Sequence, residues 1–120
     1  IDQMQSFLNE KLSIDKAPPM QSRIRAISKV FNLPEETQYK SAALAIRGQS
    51  LIELDEMPPE AGPRELTPGC LPSGISIVSF LAHESNFLEE TYDSNIPSFE
   101  NVQANTIKGT CGELIEILYT

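Results

Sequence analysis

The sequence has few of the residues from which most catalytic and metal sites are built. It contains one histidine, His83, and two cysteines, Cys70 and Cys111. A zinc site needs several cysteine or histidine ligands at short spacing, and these three residues lie far apart in the chain. The acidic segments lack the pattern of an EF-hand calcium loop, and no glycine-rich segment continues into the Lys-Ser/Thr pair of a phosphate-binding loop. We therefore predict no metal site and no cofactor.

A long apolar run is also missing. The longest candidate, residues 75–82, has the length of a strand and is far shorter than the roughly 18 residues that indicate a membrane-spanning helix. No signal-peptide pattern is present. With 120 residues, 40% of them apolar and 22% charged, the composition predicts one soluble globular domain. Because the chain begins at Ile1, we expect an excised domain or a processed product.

Two cysteines are too few for a disulfide framework. The sequence is compatible with one bridge between Cys70 and Cys111 or with two unbridged thiols. We expect the unbridged thiols, because free cysteine is common in protein cores. Free thiols are typical of a reducing compartment, which favours a cytoplasmic location.

The charges that the sequence does contain are segregated. Residues 16–47 hold six basic and two acidic side chains, a net of +4, whereas residues 53–120 hold twelve acidic and two basic ones, a net of −10. Charge of one sign in one segment acts on partners by long-range attraction and repulsion. A chain of net charge −8 repels phosphates, so nucleic-acid binding is not expected.

Apolar spacing predicts three helices in residues 1–48. The first has Asp2 as its N-cap. Pro19 lies in the first turn of the second, which suits proline. Asn32 and Glu35 form a capping box for the third, with Pro34 in its first turn, and Gly48 ends it. The apolar faces of the three helices are, in order, Met4, Phe7, Leu8 and Leu12; Met20, Ile24, Ile27 and Phe31; and Tyr39, Ala42, Ala43 and Ile46.

Strands are predicted mainly after a long loop. Residues 57–74 contain five prolines and three glycines, which prevent regular structure. We expect this loop to be ordered, with Leu66 or Leu71 packed onto the domain. Residues 75–82 are rich in β-branched side chains and predict a central strand. Weaker patterns predict a short helix at 85–92 and an edge strand at 99–107. The β-branched residues at 112–120 favour a last strand, with a helix as the alternative, while residues 49–56 fit a strand or a helical turn.

Together these elements predict an α+β fold in which an N-terminal group of about three helices packs on a small C-terminal β-sheet. A single domain would cover residues 1–120, with a helical part at 1–48, the loop at 57–74 and a mainly β part at 75–120. The predicted core consists of Phe7, Leu8, Ile24, Ile27, Phe31, Ile46, Ile77, Phe80 and Ile117.

For function, the sequence favours a non-enzymatic protein-interaction or regulatory module whose partner is another protein with a basic surface. The predicted contact residues are the acidic Glu53, Asp55, Glu56, Glu89, Glu90 and Asp93 and the basic Arg23, Arg25 and Lys29 on a helical face. The alternative is a small enzyme or a ligand-binding domain with a cleft near Cys70 and His83, since a thiolate beside an imidazole is a nucleophile.

Overall fold

The computed structural model describes residues 1–48, 50–82 and 103–119. They belong to two compact units, Ile1–Pro63 and Arg64–Thr120, each with its own small β-sheet. That residues 1–120 form one domain stays a prediction. The elements in chain order are α1 (Asp2–Leu12), β1 (Met20–Arg23), α2 (Arg25–Val30), β2 (Gln38–Ala45), β3 (Leu51–Asp55), a 3-10 turn (Pro59–Ala61), β4 (Ile77–Ala82), β5 (Gln103–Lys108) and β6 (Leu114–Tyr119).

The predicted group of three helices on one sheet is wrong. The described residues form two helices, of which only α1 is long, and two sheets of three strands each, so the fold is mixed α+β at most. The first predicted helix is confirmed as α1, but its predicted N-cap is wrong, because Ile1 precedes the helix, Asp2 is its first residue and no side chain caps it. The segment predicted as the second helix begins with the strand β1 and contains only the short α2. The segment predicted as the third helix contains β2 instead.

Strand pairing explains the error in the third predicted helix. β2 pairs with β1 on one side and with β3 on the other, so its backbone N–H and C=O groups find partners in both neighbours. Its alanines and leucine favour a helix, but such preferences amount to less than about 1 kcal/mol per residue and tertiary context overrides them. The small and apolar residues fit an alternating pattern as well as a helical one.

The error in the second predicted helix lies in the role given to Pro19. The Pro18-Pro19 pair leads into the extended β1, because proline and the residue before it both tolerate extended backbone. Ile24 is still extended, with φ −117° and ψ 90°, and α2 starts only at Arg25.

In the first unit β2 is the centre of an antiparallel sheet with the order β1-β2-β3. Successive residues of β2 lie on opposite faces of the sheet. Lys40 and Leu44 share the face on which α1 is held by an ion pair between Lys40 Nζ and Asp2 Oδ2 at 3.0 Å. The buried apolar side chains of this unit are Leu8, Ile14, Tyr39, Ala42 and Leu44.

Polar contacts fasten the segment after α1 back onto the helix. Ser13 ends α1 in the left-handed region with φ 53°. The backbone N–H of Ala17 donates to Oε1 of the buried Gln5 at 2.8 Å, and Nδ2 of Asn9 donates to the carbonyl oxygen of Ile14 at 3.1 Å. These bonds hold Ile14 where its side chain joins the core.

The ion pair of α1 has a consequence that depends on pH. The hydrogen bond from Lys40 and the charge of that ammonium lower the pKa of the Asp2 carboxyl group. A lowered pKa in the folded state means that the stabilisation is present above the unfolded-state pKa and is lost as the pH falls through the folded-state value. NMR titration should therefore give Asp2 a lower pKa than an ordinary aspartate, and Lys40→Met should raise it. An unchanged Asp2 titration in Lys40→Met would show that the pair does not form in solution.

In the second unit β6 is the central strand of a sheet with the order β4-β6-β5. β4 runs parallel to β6 and β5 antiparallel to it. Strands were expected in all three segments, with a helix as the alternative in the last, and all three form strands. Among the described strands β5 has β6 as its only neighbour, as predicted for an edge strand. β4 was predicted to be central, but among the described strands it has β6 as its only neighbour. The helix predicted at residues 85–92 lies outside the described part of the chain.

The predicted core is confirmed at two positions and wrong at one. Leu8 and Ile117 are each 2% exposed, whereas Ile77 is 44% exposed. The remaining core candidates are half-buried, namely Phe7, Ile24, Ile27, Phe31, Ile46 and Phe80.

The proline-rich loop does not pack in the predicted way. Leu66 and Leu71 are both exposed, so the prediction that one of them packs onto the domain is wrong. The loop makes polar contacts instead, since Nη1 of Arg64 donates to the carbonyl oxygen of Ile75 at 2.7 Å. Prolines limit the conformations of such a segment without any apolar contact.

Candidate interaction surface

Two of the predicted acidic contact residues lie side by side on the outer strand of the first sheet. Glu53 and Asp55 both belong to β3, two positions apart, and both are exposed. Their cross-strand neighbours in β2 are Ala43 and Ser41, which carry no charge. Leu51 occupies the same face two positions earlier and is 62% exposed. This row of three side chains, Leu51, Glu53 and Asp55, is called the β3 row below.

No basic side chain among the described residues neutralises the β3 row. The ion pair that the described residues form joins Lys40 to Asp2, on the other face of the sheet. Glu56 follows β3 and is exposed, and its backbone N–H donates to the carbonyl oxygen of Lys40 at 2.9 Å. The other three predicted acidic contacts, Glu89, Glu90 and Asp93, lie outside the described residues.

The predicted basic contacts are placed by β1 and α2. Arg23 is the last residue of β1, and Arg25 and Lys29 stand four residues apart on α2, which puts them on neighbouring turns of one helix face. All three are exposed. The basic helical face is therefore shorter than the sequence suggested, because α2 has six residues.

A shallow groove lies where β1, β2 and the segment after β3 meet. Its volume is about 560 Å³. The sequence gives no signal for this groove, because strand pairing brings together residues far apart in the chain. It is lined by Gln21, Leu33, Thr37, Gln38, Tyr39, Lys40, Glu56, Met57, Pro58, Pro59 and Glu60.

The alternative site near Cys70 and His83 stays a prediction. Cys70 and Cys111 are both free and exposed, as expected for unbridged thiols but not for thiols in a core. His83 lies outside the described residues. Within residues 1–48, 50–82 and 103–119 there is no group of three His, Cys, Asp or Glu side chains that could hold a metal ion.

The turn between β5 and β6 contains a buried carboxyl group. Glu113 is 6% exposed. Its Oε2 accepts a hydrogen bond from the backbone N–H of Cys111 at 3.0 Å, while Oε1 has no hydrogen-bond partner among the described residues. The carboxyl group lies against Gly109, where an added Cβ would collide with Oε1. A larger residue at position 109 would therefore displace the Glu113 carboxyl group, which is the end of a flexible side chain.

Gly109→Ala should destabilise the protein because the new methyl group displaces the Glu113 carboxyl group, which then loses its hydrogen bond from the Cys111 N–H. We expect the free energy of unfolding to fall by about 1 kcal/mol, as the loss of one hydrogen bond does. In a Glu113→Ala background the same substitution should cost less than about 0.5 kcal/mol, because the obstacle is gone. Urea denaturation of the four proteins of this cycle measures the difference. Equal costs in the two backgrounds would contradict the proposed collision.

No family of known proteins, no curated protein sequence and no solved structure matches this chain. Among the described helices, none has the length and the apolar character needed to cross a membrane. Function therefore has to be inferred from the geometry and the charge of the surface itself.

Proposed function

We propose that this chain is a non-enzymatic protein-interaction or regulatory module, and that its acidic surface recognises a partner protein with a basic surface. The observation that carries the proposal is the β3 row, in which two carboxylates stand exposed on an outer strand. Like charges at alternate positions of one strand repel each other, and uncharged cross-strand neighbours do nothing to offset this repulsion. A partner with basic groups opposite Glu53 and Asp55 would offset this repulsion.

Charge also supports the choice of partner. The net charge of −8 gives the molecule a long-range field that attracts basic surfaces and repels nucleic acids. Arg23, Arg25 and Lys29 add a local field of opposite sign. A molecule with both fields aligns a partner of complementary charge as it approaches, which raises the association rate more than the final affinity.

The test begins with capture of partners from an extract of the native source, followed by mass spectrometry. The wild type, Glu53→Gln/Asp55→Asn and the control Glu35→Gln/Glu36→Gln are used in parallel. Glu35 and Glu36 are exposed acids of the same unit outside the sheet, so the control removes the same charge elsewhere. A partner that meets the proposal is basic and is captured less by the β3 variant than by the control.

The association rate of that partner should then fall steeply with added salt. Between about 0.01 M and 0.15 M salt the Debye length shortens from about 30 Å to about 8 Å, which screens exposed charges. We expect the association rate constant to fall by at least about tenfold over this range, with a smaller change in dissociation rate. An association rate that does not change with salt, or that the β3 variant leaves unchanged, would overturn the proposal.

A further inference from the structure

The outer edge of β3 is open to pairing by another strand. β3 ends the first sheet, and among the described strands it pairs with β2 alone. An edge strand presents backbone N–H and C=O groups that a further strand can use. Proteins blunt such edges when they must not pair, with proline, a bulge, a very short strand or charged side chains. β3 has five residues and no proline, and its two acids oppose an acidic strand but not a basic one.

The hydrogen-bond register shows which backbone groups face outwards. In an antiparallel pair, hydrogen-bonded and non-hydrogen-bonded residue pairs alternate. The N–H of Ile46 donates to the carbonyl oxygen of Ser50 at 3.2 Å, and that of Glu56 donates to the carbonyl oxygen of Lys40 at 2.9 Å. These two bonds bracket β3 in register, so Ile52 and Leu54 also bond to β2.

The remaining residues of β3 are those of the β3 row. Leu51, Glu53 and Asp55 stand opposite Ala45, Ala43 and Ser41 in the non-hydrogen-bonded pairs, so their N–H and C=O groups are directed away from β2. The same three residues thus offer both free backbone groups and exposed side chains. A strand added here would find hydrogen bonds and a charge pattern at the same positions.

We propose that the outer edge of β3 binds an extended segment of the partner protein as an additional antiparallel strand, with basic residues opposite Glu53 and Asp55. This inference rests on the proposed function and specifies how the acidic surface is used. Backbone hydrogen bonds would supply affinity, and alternate side chains would supply specificity. A residue directly opposite in an antiparallel pair lies close enough for an ion pair, and an apolar residue fits opposite Leu51.

The acids of the β3 row also argue against a second copy as the occupant. Two β3 strands paired antiparallel about Glu53 would place that carboxylate opposite its own copy, and like charges in this position are destabilising. Leu51 would meet Asp55, which leaves the apolar side chain without an apolar neighbour. A basic segment removes both defects.

A synthetic peptide tests this mode of binding. In the peptide Thr-Lys-Thr-Lys-Thr-Val-Thr, blocked at both ends, antiparallel addition puts the two lysines opposite Asp55 and Glu53 and the valine opposite Leu51. We expect saturable binding with a Kd of about 1 mM or tighter at low salt, measured by fluorescence anisotropy. N-methylation of the second lysine removes the N–H that would bond to the carbonyl oxygen of Glu53 and keeps the charge. This change should weaken binding by roughly tenfold.

Amide hydrogen exchange gives a second and independent readout. The peptide should slow exchange at the outward N–H groups of Leu51, Glu53 and Asp55. It should have little effect at Ile52 and Leu54, which already bond to β2. The variant Glu53→Gln/Asp55→Asn should bind the peptide roughly three- to tenfold more weakly, since two cross-strand charge pairs are lost. Glu35→Gln/Glu36→Gln should change the affinity by less than about twofold.

Each failure has its own meaning. Equal binding of the N-methylated and unmodified peptides, or no protection at the outward amides, would overturn strand addition and leave the proposed function standing. Absence of peptide binding would also overturn strand addition. Protection of the outward amides in the protein alone, with self-association in sedimentation experiments, would show that a second copy occupies the edge. A natural partner whose association rate does not change with salt would overturn the proposed function itself.

Discussion

Leu44→Ala is expected to lower the free energy of unfolding by about 2–5 kcal/mol, the largest single effect among the described residues. Leu44 has no exposed surface and lies in β2, the central strand of the first sheet. Truncation removes apolar surface from the core and leaves a cavity, because the strand is held by two neighbours and cannot collapse into the space. Urea denaturation followed by circular dichroism measures the change.

The matched control for this substitution is Leu51→Ala. It removes the same atoms from a strand of the same sheet, but Leu51 is 62% exposed and its loss should cost less than about 0.5 kcal/mol. Similar costs for the two variants would mean that β2 does not bury Leu44 as described.

Tyr39→Phe is expected to lower the free energy of unfolding by about 1–3 kcal/mol although it removes one oxygen atom only. The Tyr39 hydroxyl group and the Ser28 hydroxyl group form a buried hydrogen bond of 2.8 Å that joins β2 to α2. Ser28 is 1% exposed, so its hydroxyl group would lose its partner without gaining water. A buried polar group without a partner loses its full solvation.

The double variant Ser28→Ala/Tyr39→Phe should cost clearly less than the sum of the two single substitutions, because neither side chain is then left unsatisfied. Ser6→Ala, at an exposed hydroxyl group of α1, provides the comparison and should cost less than about 0.5 kcal/mol. Additive costs in the double variant would show that the Ser28–Tyr39 bond does not form in solution.

Local sequence patterns predicted a helix or strand correctly where that element depended mainly on its own residues. The first helix was predicted from apolar spacing and forms as α1. The last three predicted strands form as β4, β5 and β6, because β-branched side chains fit the pleated, half-buried surface of a sheet. The wrong assignments of helix and strand lie in residues 19–47, where the spacing of small and apolar residues fits both a helix and a strand. There the choice between helix and strand depended on pairing with strands that lie elsewhere in the chain.

The candidate site shows the same division. Glu53, Asp55 and Glu56 were predicted as contact residues from charge alone, and their exposure agrees with that role without testing it. Nothing in the sequence indicated that Leu51, Glu53 and Asp55 share the outer edge of the sheet formed by the described strands. That edge depends on the order β1-β2-β3 and on the register of β3 against β2, which a shift of one residue would reverse.

By itself the sequence determined the charge of this protein and the scarcity of nucleophile and metal-ligand residues. It also determined the elements whose apolar spacing fits either a helix or a strand but not both. Charge and composition need no fold, because they are sums over the residues. Only the tertiary structure decided that residues 38–45 form a central strand, that Ser28 meets Tyr39, and that two acids stand on an edge with no further strand among the described residues. These features depend on hydrogen bonds and contacts between distant segments, whose energies exceed local preferences once both partners are in place.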